Sequence, residues 1–192
     1  RPWGFVKVET DEGITGWGEC SDGRSPQGVA ATIADLEPIL LGQDPREFET
    51  RFWDMYRGTR QSLGGIAAKA MAGLDCAFID IKAKSLGISV AELFGGPVRE
   101  KVRVYWSHCG SSRIQNYELI GVPQLRTWDD ISALGKEVVD RGFTALKTNV
   151  IGPGDHPVRI SGGFGGPKGT TDQVITKGGL RHIEKLIGTF RD

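Results

Sequence analysis

The stretch AGLDCAFIDIKAKSLGISVAELFGG, residues 72–96, decides how the rest of the chain reads. Leu74, Phe78 and Ile81 continue a helical spacing begun by Ile66 and Ala70, so a helix is predicted from about Gly65 to Lys84. Ala67, Ala68, Gly73 and Ala77 on that helix are small enough for a neighbouring element to approach its backbone closely. Gly87 terminates it. Ser89 with Glu92 then forms the capping pattern of a short helix that ends at Gly95 and Gly96. A long helix with so many small residues needs something laid against it.

The residues before it supply the partner. Phe5, Val6 and Val8 alternate imperfectly with polar residues up to Thr10, Asp11 to Gly13 make a turn, and Ile14 to Glu19 returns, which reads as a β-hairpin. Such a hairpin is marginal by itself, so a third strand from upstream or a cover of helices is expected. Ser25 before Pro26 is a helix start, with Val29, Ile33, Leu36 and Leu40 on one face, Pro38 bending the last turn and Gly42 ending it. Asp44, Pro45 and Glu47 repeat the start signal in capping-box form ahead of Phe48, Phe52 and Tyr56.

After Lys101 the pattern changes. Val102 and Val104 begin a short apolar strand. Thr127 with Asp130 caps a helix carrying Ile131, Leu134 and Val138, Gly142 closes it, and a second strand is predicted from Phe143 to Val150. A helix between two such strands implies parallel pairing through a right-handed crossover. A glycine-rich segment follows, then Leu180, Ile183, Ile187 and Phe190 mark one more amphipathic helix. The predicted organisation is an α+β domain over residues 1–97 and a βα-repeat domain over 98–192, joined through Pro97.

Composition excludes several classes. The 192 residues carry 24 Lys plus Arg against 24 Asp plus Glu, so no bulk field draws the chain to nucleic acid or a membrane surface. A small molecule or another protein is the expected partner. No apolar run reaches the roughly 18 residues of a membrane span, and Arg1 to Phe5 lead into a strand rather than a signal peptide. Cys20, Cys76 and Cys109 form no CxxC pair and suit a reducing, cytoplasmic setting as structural thiols.

Three segments in order, TDEGITGWGE (10–19), the run at 72–96 and GFTALKTN (142–149), resemble the mandelate racemase and muconate lactonizing branch of the enolase superfamily. The resemblance covers nearly the whole chain. It implies a capping domain, with its first strand missing, followed by the first βα units of a modified (β/α) TIM barrel. A complete barrel takes about 250 residues, and fewer than half that number follow Lys101, so the barrel is expected to be incomplete. Family members remove a proton next to a carboxylate and stabilise the enolate on Mg²⁺, because so weak an acid ionises only where a divalent ion and cationic groups neutralise the developing charge.

Where the family carries Lys-x-Lys at the end of the second barrel strand, this chain has Lys147, Thr148 and Asn149. The resemblance implies that Lys147 faces the substrate carboxylate and that Asn149, a neutral amide, hydrogen-bonds but cannot act as a base. Loss of the second lysine points away from racemisation and toward sugar-acid (aldonate or aldarate) dehydration with a base elsewhere. The carboxylate ligands for Mg²⁺ are expected outside this chain, so no metal ligands are assigned and the chain alone is expected to be inactive, the complete protein being a homo-oligomer. Arg57 and Arg60 correspond to one substrate-contacting capping loop and Arg24, in the loop from Cys20, to the other, while His108 follows the first barrel strand toward the same rim. Trp17 is expected in the core, and His156 and His182 read as structural. A non-catalytic assembly module, and a racemase, epimerase or lactonizing enzyme, are the alternative readings. The segment GGFGGPKGT, residues 162–170, fails as a phosphate loop, since Lys168 has Pro167 before it and Gly169 after it. It is expected to be a lid.

Overall fold

The computed structural model describes residues 3–160 and 175–191. The segment read as a lid lies outside the described residues. The chain divides into two compact units, Arg1–Glu100 and Lys101–Asp192.

The first unit is built on one long helix. Strands β1 (Phe5–Glu9) and β2 (Thr15–Glu19) pair antiparallel, with Val6 opposite Gly18 and Val8 opposite Gly16. Helices α1 (Pro26–Leu40), α2 (Phe48–Thr59), α3 (Gly65–Ser85) and α4 (Val90–Leu93) follow. The small residues explain how α3 meets the hairpin. A Cβ on Gly18 would overlap the carbonyl oxygen of Gly73, and one on Gly16 that of Ala77, so strand and helix backbones touch where no side chain intervenes. Around this contact Leu36, Met55, Met71, Leu74 and Phe78 form the core. Met55 is fully enclosed, and burying a side chain of its size contributes about 1.5–3 kcal/mol.

Two helix starts differ from expectation. Ser25 precedes Pro26 as foreseen, but its side chain makes no capping bond. Asp22 orders the loop just ahead of the helix, its Oδ1 accepting from the backbone N–H of Arg24 and of Ser25, each at 2.7 Å. No capping box forms at α2, because the helix begins at Phe48 with Glu47 at its N-cap, and Asp44, whose Oδ1 accepts from Arg46 Nε at 3.0 Å, lies three residues upstream of that position. At α4 both halves of the Ser89–Glu92 box are present. Trp17, expected in the core, is half exposed. The pleat places it opposite Lys7, on the strand face turned away from the helices.

The second unit has strand β3 (Trp106–Ser107), helices α5 (Cys109–Gln115) and α6 (Trp128–Asp140), strand β4 (Leu146–Lys147), a small antiparallel pair β5 (Ile151–Gly152) and β6 (Val158–Arg159), and helix α7 (Lys177–Arg191). Pairing of β3 with β4 is parallel, as read from the intervening helix. The strand predicted at Val102 and Val104 begins instead at Trp106. Both valines stand exposed, and the first ladder bond runs from the Trp106 N–H to the Ala145 carbonyl at 3.0 Å. The capping box of Thr127 and Asp130 opens α6, and Gly142 takes the left-handed φ of 81° that ends it. Cys109, Ile114, Leu125, Ile131, Leu134, Ile151 and Leu186 form the core, with Trp106 and Leu146 packed against it.

Candidate functional site

The parallel pair fixes a polar rim in the second unit. Trp106 and Leu146, opposite one another, turn toward the core under α6 and α7. Alternation along the strands therefore turns Ser107 and Lys147, the next matched pair, to the face away from the helices. Both are exposed. The strands run in the same direction, so Ser107, His108, Lys147, Thr148 and Asn149 gather at one carboxyl-terminal edge.

His108 turns the chain sharply there. Its φ of 56° makes it the one non-glycine residue in the left-handed region among the described residues. It precedes α5, its carbonyl accepts from the Ser112 N–H at 2.9 Å, and its Nδ1 lies 2.7 Å from Ser107 Oγ. Gly110 lets the chain pack closely after the turn. A Cβ on it would come within 2.6 Å of Thr148 Oγ1 and 2.9 Å of Ile151 Cδ1, so the start of α5 rests on the end of β4. His108 and Lys147 thus sit on neighbouring strand ends held by shared packing.

Lys147 Nζ donates to the Tyr105 hydroxyl at 3.5 Å and lies 5.5 Å from the centre of that ring. It has no carboxylate partner among the described residues. Asn149 carries a different signal: its side-chain oxygen is enclosed without a hydrogen-bond partner among the described residues. A buried acceptor left without a donor costs free energy. The rim therefore presents an exposed ammonium and a Ser–His pair, groups suited to a small hydroxylated anion. Tyr105 and Ser107 were not singled out from sequence. The adjacent Tyr-Trp-Ser-His run was the available signal.

The candidates in the first unit are placed differently. Arg57 is three-quarters exposed in the last turn of α2, its Nη1 donating to Asp54 Oδ1 at 3.3 Å. Arg60 is the exposed residue that follows α2. Arg24 is exposed on a loop whose shape Asp22 sets, and the Lys69 ammonium binds the same carboxylate. These hydrogen bonds hold the Asp22 carboxyl far below the ordinary range. The arginine that the fold encloses is Arg51, donating to Gln43 Oε1 at 2.6 Å and paired with Asp54 at 3.2 Å. His182 donates from Nε2 to the Ile151 carbonyl over 2.7 Å and leans on Trp128, which makes it a packing residue.

Magnesium takes oxygen donors, chiefly carboxylates. No group of three or more His, Cys, Asp or Glu side chains converges among the described residues. An ammonium, an imidazole, a hydroxyl and an amide do not fit that ion.

An α+β layer capped by helices, followed by strand–helix–strand with polar groups at the carboxyl-terminal strand ends, defines an enolase-superfamily arrangement. Residues 1–95 match the mandelate racemase / muconate lactonizing enzyme N-terminal domain, and the chain belongs to that family. A D-galactonate dehydratase of Verminephrobacter eiseniae is 37% identical over 147 residues, 77% of this chain and 35% of that protein. The D-galactonate dehydratase of Ralstonia pickettii is 48% identical over 104 residues, 54% of this chain and 27% of that protein. A Burkholderia xenovorans protein provisionally assigned as an L-alanine-DL-glutamate epimerase superposes with a TM-score of 0.85 at 35% identity, covering 98% of this chain and 48% of its own. The same protein was solved bound to magnesium and fumarate. The chain spans about a third of the length of these curated relatives and about half that of the solved structures. No helix among the described residues is long and apolar enough to cross a membrane.

Proposed function

We propose that this chain is the amino-terminal part of a Mg²⁺-dependent dehydratase of sugar acids, of the aldonate or aldarate type, working by proton abstraction next to a carboxylate. The observation that supports it most is Lys147: a cation without a carboxylate partner among the described residues, at a parallel strand end, in a chain similar to D-galactonate dehydratases. Lys147 binds the substrate carboxylate and, by its charge, makes the neighbouring C–H more acidic. Asn149 serves the substrate as a hydrogen-bond donor through its side-chain amide N–H. As a neutral amide it cannot exchange a proton with carbon, which favours one-way dehydration over the racemase or epimerase alternative. His108, on the neighbouring strand end, supplies a contact to the rest of the sugar acid, and the base and metal carboxylates come from sequence beyond these residues.

The 192-residue chain alone does not turn over. In a polypeptide extended to the length of the dehydratase relatives, Lys147→Ala lowers kcat/KM for D-galactonate by about 100-fold or more, the scale of losing one electrostatic contact to a developing oxyanion. An extended enzyme with undiminished turnover after that change would remove Lys147 from the chemistry, and dehydration by the bare chain would refute the reading of it as a part.

A further inference from the structure

Burial singles out Arg113 and Arg159 in the second unit. Every other lysine and arginine among its described residues is exposed, whereas these are part-buried. Arg113 has its counter-charge, with Nη2 lying 2.7 Å from Glu137 Oε2. Arg159 has no carboxylate partner among the described residues. Drawing a guanidinium out of water without an anion beside it costs free energy, so an enclosed cation of this kind is poised to receive one.

The place of Arg159 in the fold is set by Ile151. The two residues oppose one another in the antiparallel pair of β5 and β6, so their side chains share a face of that small hairpin. The face is turned to the start of α5: a Cβ on Gly110 would come within 2.9 Å of Ile151 Cδ1, and β6 itself lies against α5. The same Cβ would meet Thr148 Oγ1 at 2.6 Å, and α5 begins directly after His108. Arg159 is thereby brought beside the carboxyl-terminal strand ends that carry His108 and Lys147. Lys147 is the exposed cation of this edge and Arg159 the part-buried one, and neither has a carboxylate partner among the described residues.

Taking the dehydratase reading of Lys147 as given, we infer that Arg159 binds a second carboxylate of the substrate, which makes the acid taken at this rim a dicarboxylate, an aldarate rather than an aldonate. Lys147 holds the carboxylate beside the carbon that loses its proton. Arg159 holds the one at the far end of the same molecule, its planar fork matching the two oxygens. An aldonate carries a neutral hydroxymethyl group at that end and leaves the guanidinium without its anion. Selection comes from that penalty, since a site built around a buried polar group rejects a ligand that fails to pair with it.

The test compares D-galactonate with galactarate, the diacid of the same carbon skeleton, in the polypeptide extended to the length of the dehydratase relatives. The wild-type kcat/KM is higher for galactarate. Arg159→Met lowers that value by about tenfold or more, the scale of a charge-assisted hydrogen bond, and changes the value for D-galactonate by less than about twofold. Arg159→Lys, which keeps the charge and loses the fork, falls between the two. Equal losses for both acids, or a wild-type preference for D-galactonate, overturn the assignment. Binding is read separately from turnover in the 192-residue chain, by phenylglyoxal modification of Arg159 located by peptide mass. Saturating galactarate slows that modification about tenfold or more, and D-galactonate at the same concentration leaves it unchanged. Protection by galactarate in a protein whose extended form dehydrates neither acid would end the dehydratase reading and keep the dicarboxylate site. Modification at full rate under galactarate removes Arg159 from binding.

Discussion

Asp22 shows what a single carboxylate does in the first unit. It ties the loop after β2 to the start of α1 through two backbone N–H groups and to α3 through Lys69. Its pKa is depressed, first by the Lys69 hydrogen bond and then by those from Ser25 and Arg24. The unfolded chain, with an ordinary aspartate near pH 4, thus binds the proton before the folded one does. The stabilisation is complete above that pH and is lost as pH falls through the folded value. Asp22→Asn should be less stable at pH 7 and should show a flatter decline between about pH 4 and 2 in an acid titration followed by circular dichroism; an unchanged slope would remove Asp22 from the linkage. Nothing in the local sequence distinguishes Asp22 from other loop aspartates, because its partner Lys69 is 47 residues away. Lys147 and Asn149 were legible for the opposite reason: they fall in a short motif whose place at a strand end is set by neighbours. Tyr105, beside Lys147 only across the strand pair, was not.

At the scale of elements, the helices with local start and stop signals were readable, whereas α5 (Cys109–Gln115), whose N-cap His108 makes no side-chain capping bond, was not read from sequence. The boxes at Ser89–Glu92 and Thr127–Asp130 close within one turn. The box read at Asp44–Glu47 failed because the helix starts later, at Phe48, which leaves Asp44 three residues ahead of the N-cap. The barrel strands were displaced because alternation at Val102 and Val104 carries no information about which residue meets a partner. The meeting of β2 with α3 shows how small residues act at a distance. Gly18→Ala should destabilise the first unit by about 1–3 kcal/mol, as overpacking does, and urea denaturation would register it. Gly13→Ala makes a control of another kind, since a Cβ there meets nothing and only its φ of 79° is strained.

For the whole molecule, the exposed apolar surface sets the behaviour. Val98, Val102, Val104 and Leu119 are each at least 64% exposed, and β3 and β4 are a two-stranded sheet with open edges among the described residues. Such surface favours association. The 192-residue chain should therefore self-associate at micromolar concentrations in light scattering, and Val102→Thr with Val104→Thr should shift it toward monomer. A monomer at all accessible concentrations would count against this.

The three thiols provide a clock for each half. Cys20 and Cys109 are buried, one per unit, while Cys76 is exposed. Burial pushes the Cys109 thiol up to about 11, so at neutral pH it stays protonated as well as enclosed. A pulse of alkylating reagent will mark Cys76 at once and the other two only as their surroundings open. The mass added at each position then times the breathing of the hairpin layer and of the strand–helix layer separately, in one sample without any introduced label.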